Sequence, residues 1–538
     1  MYTKYYLLGS IVLFFLSGCA GISSDPASHN NEHHHEQTKQ PDEVTDKEIA
    51  KHVLAIDPDG YLNFLGCDEE GGNKPEWCEV SRGESKEAKE KIYEKNLGKY
   101  LDNIITNLRR SEKELLIYIH GGLNGEDKAL ERAKKKYKLI LNDKENPRYP
   151  VFVNWRSGPV TTYKDHLWQI RQGEKEENTL KKIFTWPVYL FTDIGNSIVN
   201  TPKAWVVTGG HLIDSLAFKE NIDNELEDQI KSHEGLINLT KGGERSNFFR
   251  HVQWVLTSPS KVITTPFTYT MAKPAWDIML RRTSTLFYTP KDLNLEEPDG
   301  QASTKDRGIN QKRTIIKPVA LARVPLISGN GALYRFLSAL EEGLDKDGKT
   351  SKVKITLIGH SMGAIVVNNI INLGLDLTYK NIVHMASADS TENFLNKVVP
   401  YIDCSLKTTC NNNKGYTPVN FYSLYLHPDN ENREVSAKGF TPSGSLLTWI
   451  DGMFTTPKTV LDKRSGRWDN MVRAIELIPP NIKGQMHFTI FGIQKDKECT
   501  KDELKGLNCT AQEHGDFGDL PFWREEVWKG EHLSAQGK

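Results

Sequence analysis

The pentapeptide Gly359–Gly363, with the sequence Gly-His-Ser-Met-Gly, is the feature that most constrains how this chain can fold. The residues before it, 353–358, are apolar and β-branched, as in a buried parallel strand. The residues after it, 364–371, are apolar and long enough for a helix. A serine on so tight a turn between strand and helix needs small neighbours, and its hydroxyl then stands clear of the sheet. The helix N-terminus beside it favours negative charge. This context predicts that Ser361 is a catalytic nucleophile.

The pattern on both sides of this turn predicts an α/β fold with a mostly parallel sheet. Residues 53–64 read as a hairpin, and a helical apolar spacing follows to Leu108. A strand at 115–119, a helix at 130–141 and a strand at 151–155 then form a βαβ unit. After a helix at 331–344 and the serine turn, strands are expected at 381–386, 419–425 and 486–491.

The middle of the chain, residues 163–325, interrupts this alternation. It is rich in aromatic and apolar residues between charged ones, and it has no clear β-α pattern. We interpret it as a large, mostly helical cap inserted into the sheet domain, which then comprises residues 51–162 and 326–538. Three of its tryptophans, Trp205, Trp254 and Trp276, are candidates for an acyl-binding surface or for the core of the cap.

A serine hydroxyl is a poor nucleophile until a base, usually a histidine oriented by a carboxylate, takes its proton. His514 lies beyond the last predicted strand and is the preferred base, ahead of His487 and His427. Asp429 follows the strand at 419–425 and is the preferred acid. Two further carboxylates remain as alternative acids, Asp389 after the preceding strand and Glu431.

An oxyanion formed by attack of Ser361 needs two N–H donors. One is expected from Met362, the residue after the serine. The other is expected from the segment His120-Gly121-Gly122-Leu123, where glycines let the backbone approach a substrate closely. Gly122 and Leu123 are both candidates for this second N–H.

The segment His120–Gly122, the pentapeptide around Ser361, and the downstream Asp429 and His514 together resemble the serine lipase/esterase branch of the α/β-hydrolase superfamily. The resemblance covers the sheet parts of the chain and not the predicted cap. It implies the α/β-hydrolase fold, with helices on both faces of the sheet. It also implies cleavage of carboxylic esters through an acyl-enzyme, without a metal or organic cofactor. Thioesterases, acyltransferases and small-ester esterases share the same motifs.

The N-terminus resembles a bacterial lipoprotein signal. Lys4 precedes a short apolar stretch, and Leu16-Ser17-Gly18-Cys19 forms a lipobox. Residues 1–18 would be removed, Cys19 would carry the lipid, and the polar residues 19–50 would form a flexible tether. By resemblance to enterobacterial sorting, Ala20 after the cysteine favours the outer membrane, on its periplasmic or surface face.

Six further cysteines fall into three sequence-local pairs, as expected for disulfides formed in an oxidising cell envelope: Cys67 and Cys78, Cys404 and Cys410, Cys499 and Cys509. The net charge of −1 gives no indication of a nucleic-acid partner. The sequence therefore predicts a lipid-anchored serine hydrolase acting on acyl esters or lipids. A surface binding protein built on an inactive hydrolase fold is the alternative from another class.

Overall fold

The protein has 538 residues, and its structure is a computed structural model. The residues that it describes are 44–67, 74–79, 85–168, 170–171, 174–175, 179–217, 219–240, 266, 269–289, 292, 329–345, 353–407, 418–434, 444–493 and 500–531. The predicted signal segment, Cys19 and Trp254 lie outside them.

Eleven strands are present in the described parts of the chain. In chain order they are β1 Val53–Ile56, β2 Leu62–Asn63, β3 Glu114–Ile119, β4 Arg148–Trp155, β5 Ile170–Arg171, β6 Glu174–Lys175, β7 Ile237–Leu239, β8 Ile355–His360, β9 Tyr379–Met385, β10 Asn420–Leu426 and β11 Met486–Phe491. β5 and β6 form a small separate hairpin. The other nine form one sheet in the order β2-β1-β4-β3-β8-β9-β10-β11-β7.

All neighbouring strands of this sheet are parallel except β1 and β2, which pair as an antiparallel hairpin. The mostly parallel α/β architecture expected from the sequence is confirmed at this level. Because the strands are parallel, the carboxyl ends of β3, β8, β9, β10 and β11 lie at one edge of the sheet. The predicted chemistry-bearing loops all leave from that edge.

Sixteen helices are described. They are α1 Asp46–Ile49, α2 Lys86–Ser111, α3 Glu126–Leu141, α4 Pro159–Trp168, α5 Thr179–Ala217, α6 Lys219–Ser232, α7 269–285, α8 Ala332–Asp345, α9 Gly363–Ile370, α10 Thr391–Asn393, α11 Val399–Ser405, α12 Pro428–Arg433, α13 Leu446–Trp449, α14 Trp468–Ile475, α15 Lys501–Lys505 and α16 Glu525–Lys529. π turns at Phe394–Val398 and Ile450–Phe454 and 3₁₀ turns at Val460–Asp462, Pro480–Gln485 and Asp516–Gly518 complete the set. No described helix combines the length and the apolar character needed to cross a bilayer.

Helices cover both faces of the sheet because the chain moves outward from β3 and β8 in opposite directions. The β3-α3-β4 crossover runs towards β1, and the β8-α9-β9 crossover runs towards β11. Parallel crossovers are right-handed, so α3 and α9 lie on opposite faces. The central strands are accordingly buried on both sides, with Ile117, Leu357 and Ile382 fully inaccessible.

Residues Asp46–Ile49 form the helix α1, although they fall within the predicted tether 19–50. Thr45 caps α1 by accepting a hydrogen bond from the Glu48 N–H, and Ile49 and Ala50 are fully buried in the core. One turn of helix is too short to produce a periodic apolar signal, which is why the sequence pattern missed it.

A disulfide joins Cys67 and Cys78, one of the three local pairs expected from the sequence, with a Cα–Cα distance of 5.3 Å. Cys404 and Cys509 are also disulfide-bonded, and their partner cysteines lie outside the described residues.

The segment predicted as a cap contains the long helices α5, α6 and α7, but it also contributes to the main sheet. Its strand β7 pairs in parallel with β11, with Phe488 opposite Ile237. Trp276 and Met279 of α7 are buried and belong to the same hydrophobic cluster as the sheet. Part of residues 163–325 is therefore continuous with the sheet domain.

Candidate functional site

Ser361 lies on a sharp turn between β8 and α9, with a backbone φ of +53°. Residues other than glycine rarely adopt this conformation. The flanking glycines are required by contact distance. A Cβ on Gly359 would lie 2.6 Å from the Ala364 nitrogen, and one on Gly363 would lie 2.1 Å from the Ile119 carbonyl oxygen. The turn can therefore form only with glycine at both positions.

The Ser361 hydroxyl is buried, with the residue only 1% exposed, and it forms no hydrogen bond with any described residue. Its backbone is held firmly instead. The Ser361 N–H donates to the Met385 carbonyl at 2.8 Å, and its carbonyl accepts from the Ala388 N–H at 3.0 Å. The turn thus fixes the serine between β9 and α9. Its Oγ has no hydrogen-bond partner among the described residues, which is compatible with a nucleophile.

His514 lies beside the residue that precedes the serine. The His360 side chain donates through Nε2 to the His514 carbonyl at 3.1 Å, and the two ring centroids are 5.3 Å apart. Burial lowers the pKa of His514 to about 4, so the ring is neutral at neutral pH. Neither ring nitrogen is hydrogen-bonded to a described residue. Ser361 and His514 therefore lie on loops that contact each other through His360, but their side chains are not hydrogen-bonded in this structure.

Hydrogen bonds between side chains and backbone groups hold the loop that carries His514. Asp516 Oδ2 accepts the N–H groups of Gln512 and Glu513 at 2.9 and 3.0 Å. The Gln512 amide donates to the carbonyl of Gly492, just after β11. These bonds fix the chain on either side of His514 and leave the imidazole as the group without a partner.

The two predicted alternative acids both have other hydrogen-bond partners, although Glu431 Oε2 has none among the described residues. The Asp389 carboxylate accepts the side-chain amides of Asn368 and Asn393, both at 2.7 Å, and the Ser390 N–H. Glu431 is hydrogen-bonded to Ser445, and burial raises its pKa to about 7. Asp389 therefore joins α9 to α10, and Glu431 stabilises the turn before α13.

Asp429 is buried in the first turn of α12, directly after β10. Its N–H donates to His427 Nδ1 at 3.2 Å, so His427 acts as the helix cap. The Asn430 side chain next to it donates to Gln512 at 3.0 Å and joins the acid loop to the histidine loop. Asp429 is not hydrogen-bonded to His514 in this structure, since both His514 nitrogens lack partners.

Glu434 is a site residue that the sequence analysis missed. Its Oε2 accepts the backbone N–H of His514 at 2.8 Å, and burial and the neighbouring Glu431 raise its pKa well above the usual value. Its position in the loop after β10, where the acid was expected, is the sequence feature that could have indicated it. His487, in contrast, lies at the amino end of β11, stacked on Tyr422, at the edge of the sheet opposite Ser361.

The two candidates for the second oxyanion donor differ in the structure. The Leu123 N–H donates to the Ser157 carbonyl at 2.8 Å. The Gly122 N–H donates to no described residue, and the Met362 N–H lies at the start of α9, where helix N–H groups have no internal partner. Gly122 and Met362 therefore remain as available donors, and Leu123 does not.

The glycine loop packs directly on the serine. A Cβ on Gly121 would lie 2.7 Å from the Ser361 Cβ, and one on Gly122 would lie 2.8 Å from the Met362 Sδ. The Gly121 carbonyl accepts from His120 Nδ1 at 2.7 Å, and His120 Nε2 accepts the Trp155 N–H. Burial lowers the pKa of His120 to about 4. The neutral His120 thus joins this loop to the end of β4.

Helix α7 closes over the glycine loop. The Met279 Sδ lies 3.3 Å from the position that a Cβ on Gly122 would occupy. A cavity of about 540 Å³ lies further out, between α4, α5 and α7. His166, Asp193 and Arg281 line it, and none of the predicted site residues does.

Within the described residues, no cluster of three or more His, Cys, Asp or Glu side chains could hold a metal ion. Comparison of the chain with protein-family models, with curated proteins and with solved structures finds no match. The arrangement of the site is therefore the basis for its interpretation.

Proposed function

We propose that this protein is a serine hydrolase of the α/β-hydrolase type that cleaves carboxylic esters through an acyl-enzyme. The observation that carries the proposal is Ser361. It has φ = +53° between a central strand and a helix, an Oγ without a partner, and the glycine loop in contact with it. Such strain is retained only where the surrounding structure holds it in place, and it is concentrated at functional sites.

The order of the strands supports the hydrolase assignment. The serine follows the central strand β8, and the glycine loop follows its neighbour β3. The candidate acids Asp429 and Glu434 follow β10, and His514 follows β11. Serine, acid and histidine thus occur in the chain order of that fold. α5 to α7 fit a cap insertion that also contributes one edge strand.

In the proposed reaction His514 removes the proton from Ser361 as Oγ attacks the ester carbonyl carbon. The N–H groups of Met362 and Gly122 stabilise the oxyanion. The intermediate collapses, and the departing alcohol takes the proton from His514. Water then attacks the acyl-enzyme and loses a proton to His514. Collapse of this second intermediate returns that proton to Ser361 Oγ and releases the carboxylic acid. The lowered pKa of His514 keeps it in the basic form at neutral pH.

The proposed substrate class is an acyl ester of a lipid or phospholipid, reached by a protein anchored to the bacterial envelope through Cys19. The lipobox sequence and the apolar helices over the site support this choice. A small-ester esterase, thioesterase or acyltransferase would use the same Ser361 chemistry and differ in the acyl acceptor or the cap.

A fluorophosphonate probe tests the proposal, because it reacts with a serine only when a base activates the hydroxyl. The wild-type chain is expected to be labelled once, on a peptide containing Ser361. Ser361→Ala should abolish both labelling and ester hydrolysis, and its melting temperature should stay close to that of the wild type. Labelling elsewhere, or hydrolysis by Ser361→Ala above about a tenth of the wild-type rate, would remove Ser361 from the mechanism. A folded chain that is never labelled would instead indicate a binding protein on an inactive fold.

A further inference from the structure

Helix α5 has a long apolar face that is exposed in the described part of the chain. Phe184, Phe191 and Val199 are 75%, 67% and 77% exposed. They belong to a set of large apolar side chains that share one side of the helix: Leu180, Phe184, Val188, Phe191, Ile198, Val199 and Val206. We call this set the α5 stripe.

The α5 stripe is continuous and almost free of charge. From residue 180 to residue 206 it extends about 40 Å, at 1.5 Å per residue. The positions between its large side chains on the same face are Gly195 and Pro202, and the charged Lys181 stands only at its margin. Soluble proteins rarely expose a contiguous apolar surface of this size unless it contacts something.

The other side of α5 makes polar contacts within the molecule. Asp193 accepts hydrogen bonds from the Tyr163 hydroxyl and from His166 Nε2. Asn196 and Asn200 line the cavity next to α7. The helix is therefore attached through its polar side and turns its apolar side outward, the orientation of a helix that lies in a membrane interface.

We propose that the α5 stripe docks on a phospholipid surface, with α5 lying in the plane of the interface. Lys181 and Lys182 flank one end of the stripe, and Lys203 lies near its other end beside the half-exposed Trp205. Basic and aromatic residues at the margins suit the headgroup region of an anionic bilayer.

This inference rests on the proposed membrane anchoring through Cys19. The chain from Cys19 to Val44 can extend at most roughly 80–90 Å. An acylated Cys19 would therefore keep Val44 within that distance of a bilayer. The stripe would supply a second contact with that bilayer, besides the lipid on Cys19. It would also bring α7 and the site beside it to the lipid.

The test measures binding of the chain from Ala20 onward, which lacks the acyl group, to vesicles of phosphatidylethanolamine and phosphatidylglycerol. The stripe variant is Phe184→Asn with Phe191→Asn and Val199→Asn. We expect it to lower vesicle affinity at least about tenfold. The matched control is Leu139→Asn with Leu477→Asn, two isolated exposed leucines outside α5, and its affinity should stay within about twofold of the starting chain.

Fluorophosphonate labelling and the melting temperature are measured on every variant, so that failure of the hydrolase proposal is seen separately. Equal vesicle binding by the stripe variant and the control would overturn the docking proposal. So would a chain that ignores vesicles but forms a dimer in solution that the stripe variant cannot form, since a second copy would then cover α5.

Discussion

Ser361 combines an unfavourable backbone conformation with a buried hydroxyl that lacks a partner. A left-handed conformation costs a residue with a Cβ roughly 1–2 kcal/mol. This cost is offset by the backbone hydrogen bonds to Met385 and Ala388 and by the packing of α9 on β3 and β8. The strain therefore exists because the rest of the turn leaves the serine no other conformation.

Gly121→Ala should lower kcat/KM for ester hydrolysis on the order of a hundredfold or more. The added Cβ would lie 2.7 Å from the Ser361 Cβ, and displacement of a reacting group by an ångström has that effect. Gly125→Ala, in the same loop, is the control, because its Cβ would meet nothing within 4 Å. Steady-state kinetics of both variants measure the difference, and a control as slow as Gly121→Ala would mean that loop rigidity and not contact with the serine is responsible.

Replacement of the carboxylates one at a time should identify the acid that orients His514. Asp429→Asn should reduce kcat on the order of 10⁴-fold, because the imidazole would lose its orienting charge. Glu434→Gln keeps an oxygen for the His514 N–H and should cost less than about tenfold. Asp389→Asn should lower the melting temperature more than kcat. A large kcat loss in Glu434→Gln with little in Asp429→Asn would transfer the role to Glu434.

The sequence located single residues in the fold better than it located their contacts. Ser361 is specified by neighbours in the chain, so a local motif finds it. The choice between Gly122 and Leu123 depends on the Ser157 carbonyl, which a separate loop brings to Leu123. The contact between Glu434 and His514 likewise joins two distant loops. Contacts between distant loops produce no periodic pattern in a single sequence, so they could not be predicted from it.

At the scale of elements, α4 and α7 are joined by a buried ion pair. Arg282 Nη2 lies 2.5 Å from Asp165 Oδ2, and both side chains are almost fully buried. Arg282 also donates to the Arg156 carbonyl and to Thr162. Arg156 directly precedes Ser157, whose carbonyl accepts the Leu123 N–H. The Arg282–Asp165 ion pair therefore helps to hold the loop against which the glycine segment packs.

Arg282→Leu should lower the free energy of unfolding by about 3–5 kcal/mol, since it leaves Asp165 buried with the partly exposed Arg156 as its remaining ion-pair partner among the described residues. Asp165→Leu combined with Arg282→Leu should cost less than Arg282→Leu alone. Urea denaturation measures both. Arg335→Leu is the control, because its pair with Glu94 is exposed and contributes at most about 1 kcal/mol. A loss in Arg282→Leu no larger than in Arg335→Leu would contradict the prediction.

The sequence also located long elements better than short ones. The strands from β3 to β4 and from β8 to β11 and the helices α2, α3 and α8 have periodic apolar patterns, and they form where they were expected. β7 has three residues and α1 has four. Neither is long enough to carry a period, and only pairing with β11 or burial of Ile49 defines them.

At the scale of the whole molecule, buried histidines and buried carboxyls have opposite effects on how the free energy of unfolding changes with pH. Burial lowers the pKa of His52, His120 and His514 to about 4 and of His384 to about 3, and that of His360 well below its usual value. These groups bind protons more readily when the chain unfolds. Burial raises the pKa of Glu431 to about 7 and that of Glu434 well above normal, so these two bind protons more readily when the chain is folded.

The free energy of unfolding should therefore decrease as the pH falls from 6.5 towards 4, because six histidines with lowered pKa values, His487 included, outweigh four carboxyls with raised pKa values, Glu126 and Asp516 included. A histidine with a depressed pKa contributes stability above its unfolded value near 6.5 and loses it as the pH falls through its folded value. A carboxyl with a raised pKa contributes stability below about 4.5 and loses it as the pH rises. Each net proton changes the free energy by roughly 1.4 kcal/mol per pH unit.

Urea titrations at several pH values between 4.5 and 7 measure how steeply the free energy of unfolding changes with pH. The His384 ring is buried against Phe421 within the sheet, and His384→Asn should reduce the slope by about one proton, whereas Glu431→Gln should steepen it. A free energy of unfolding that is constant or rises on acidification would show that the carboxyls dominate.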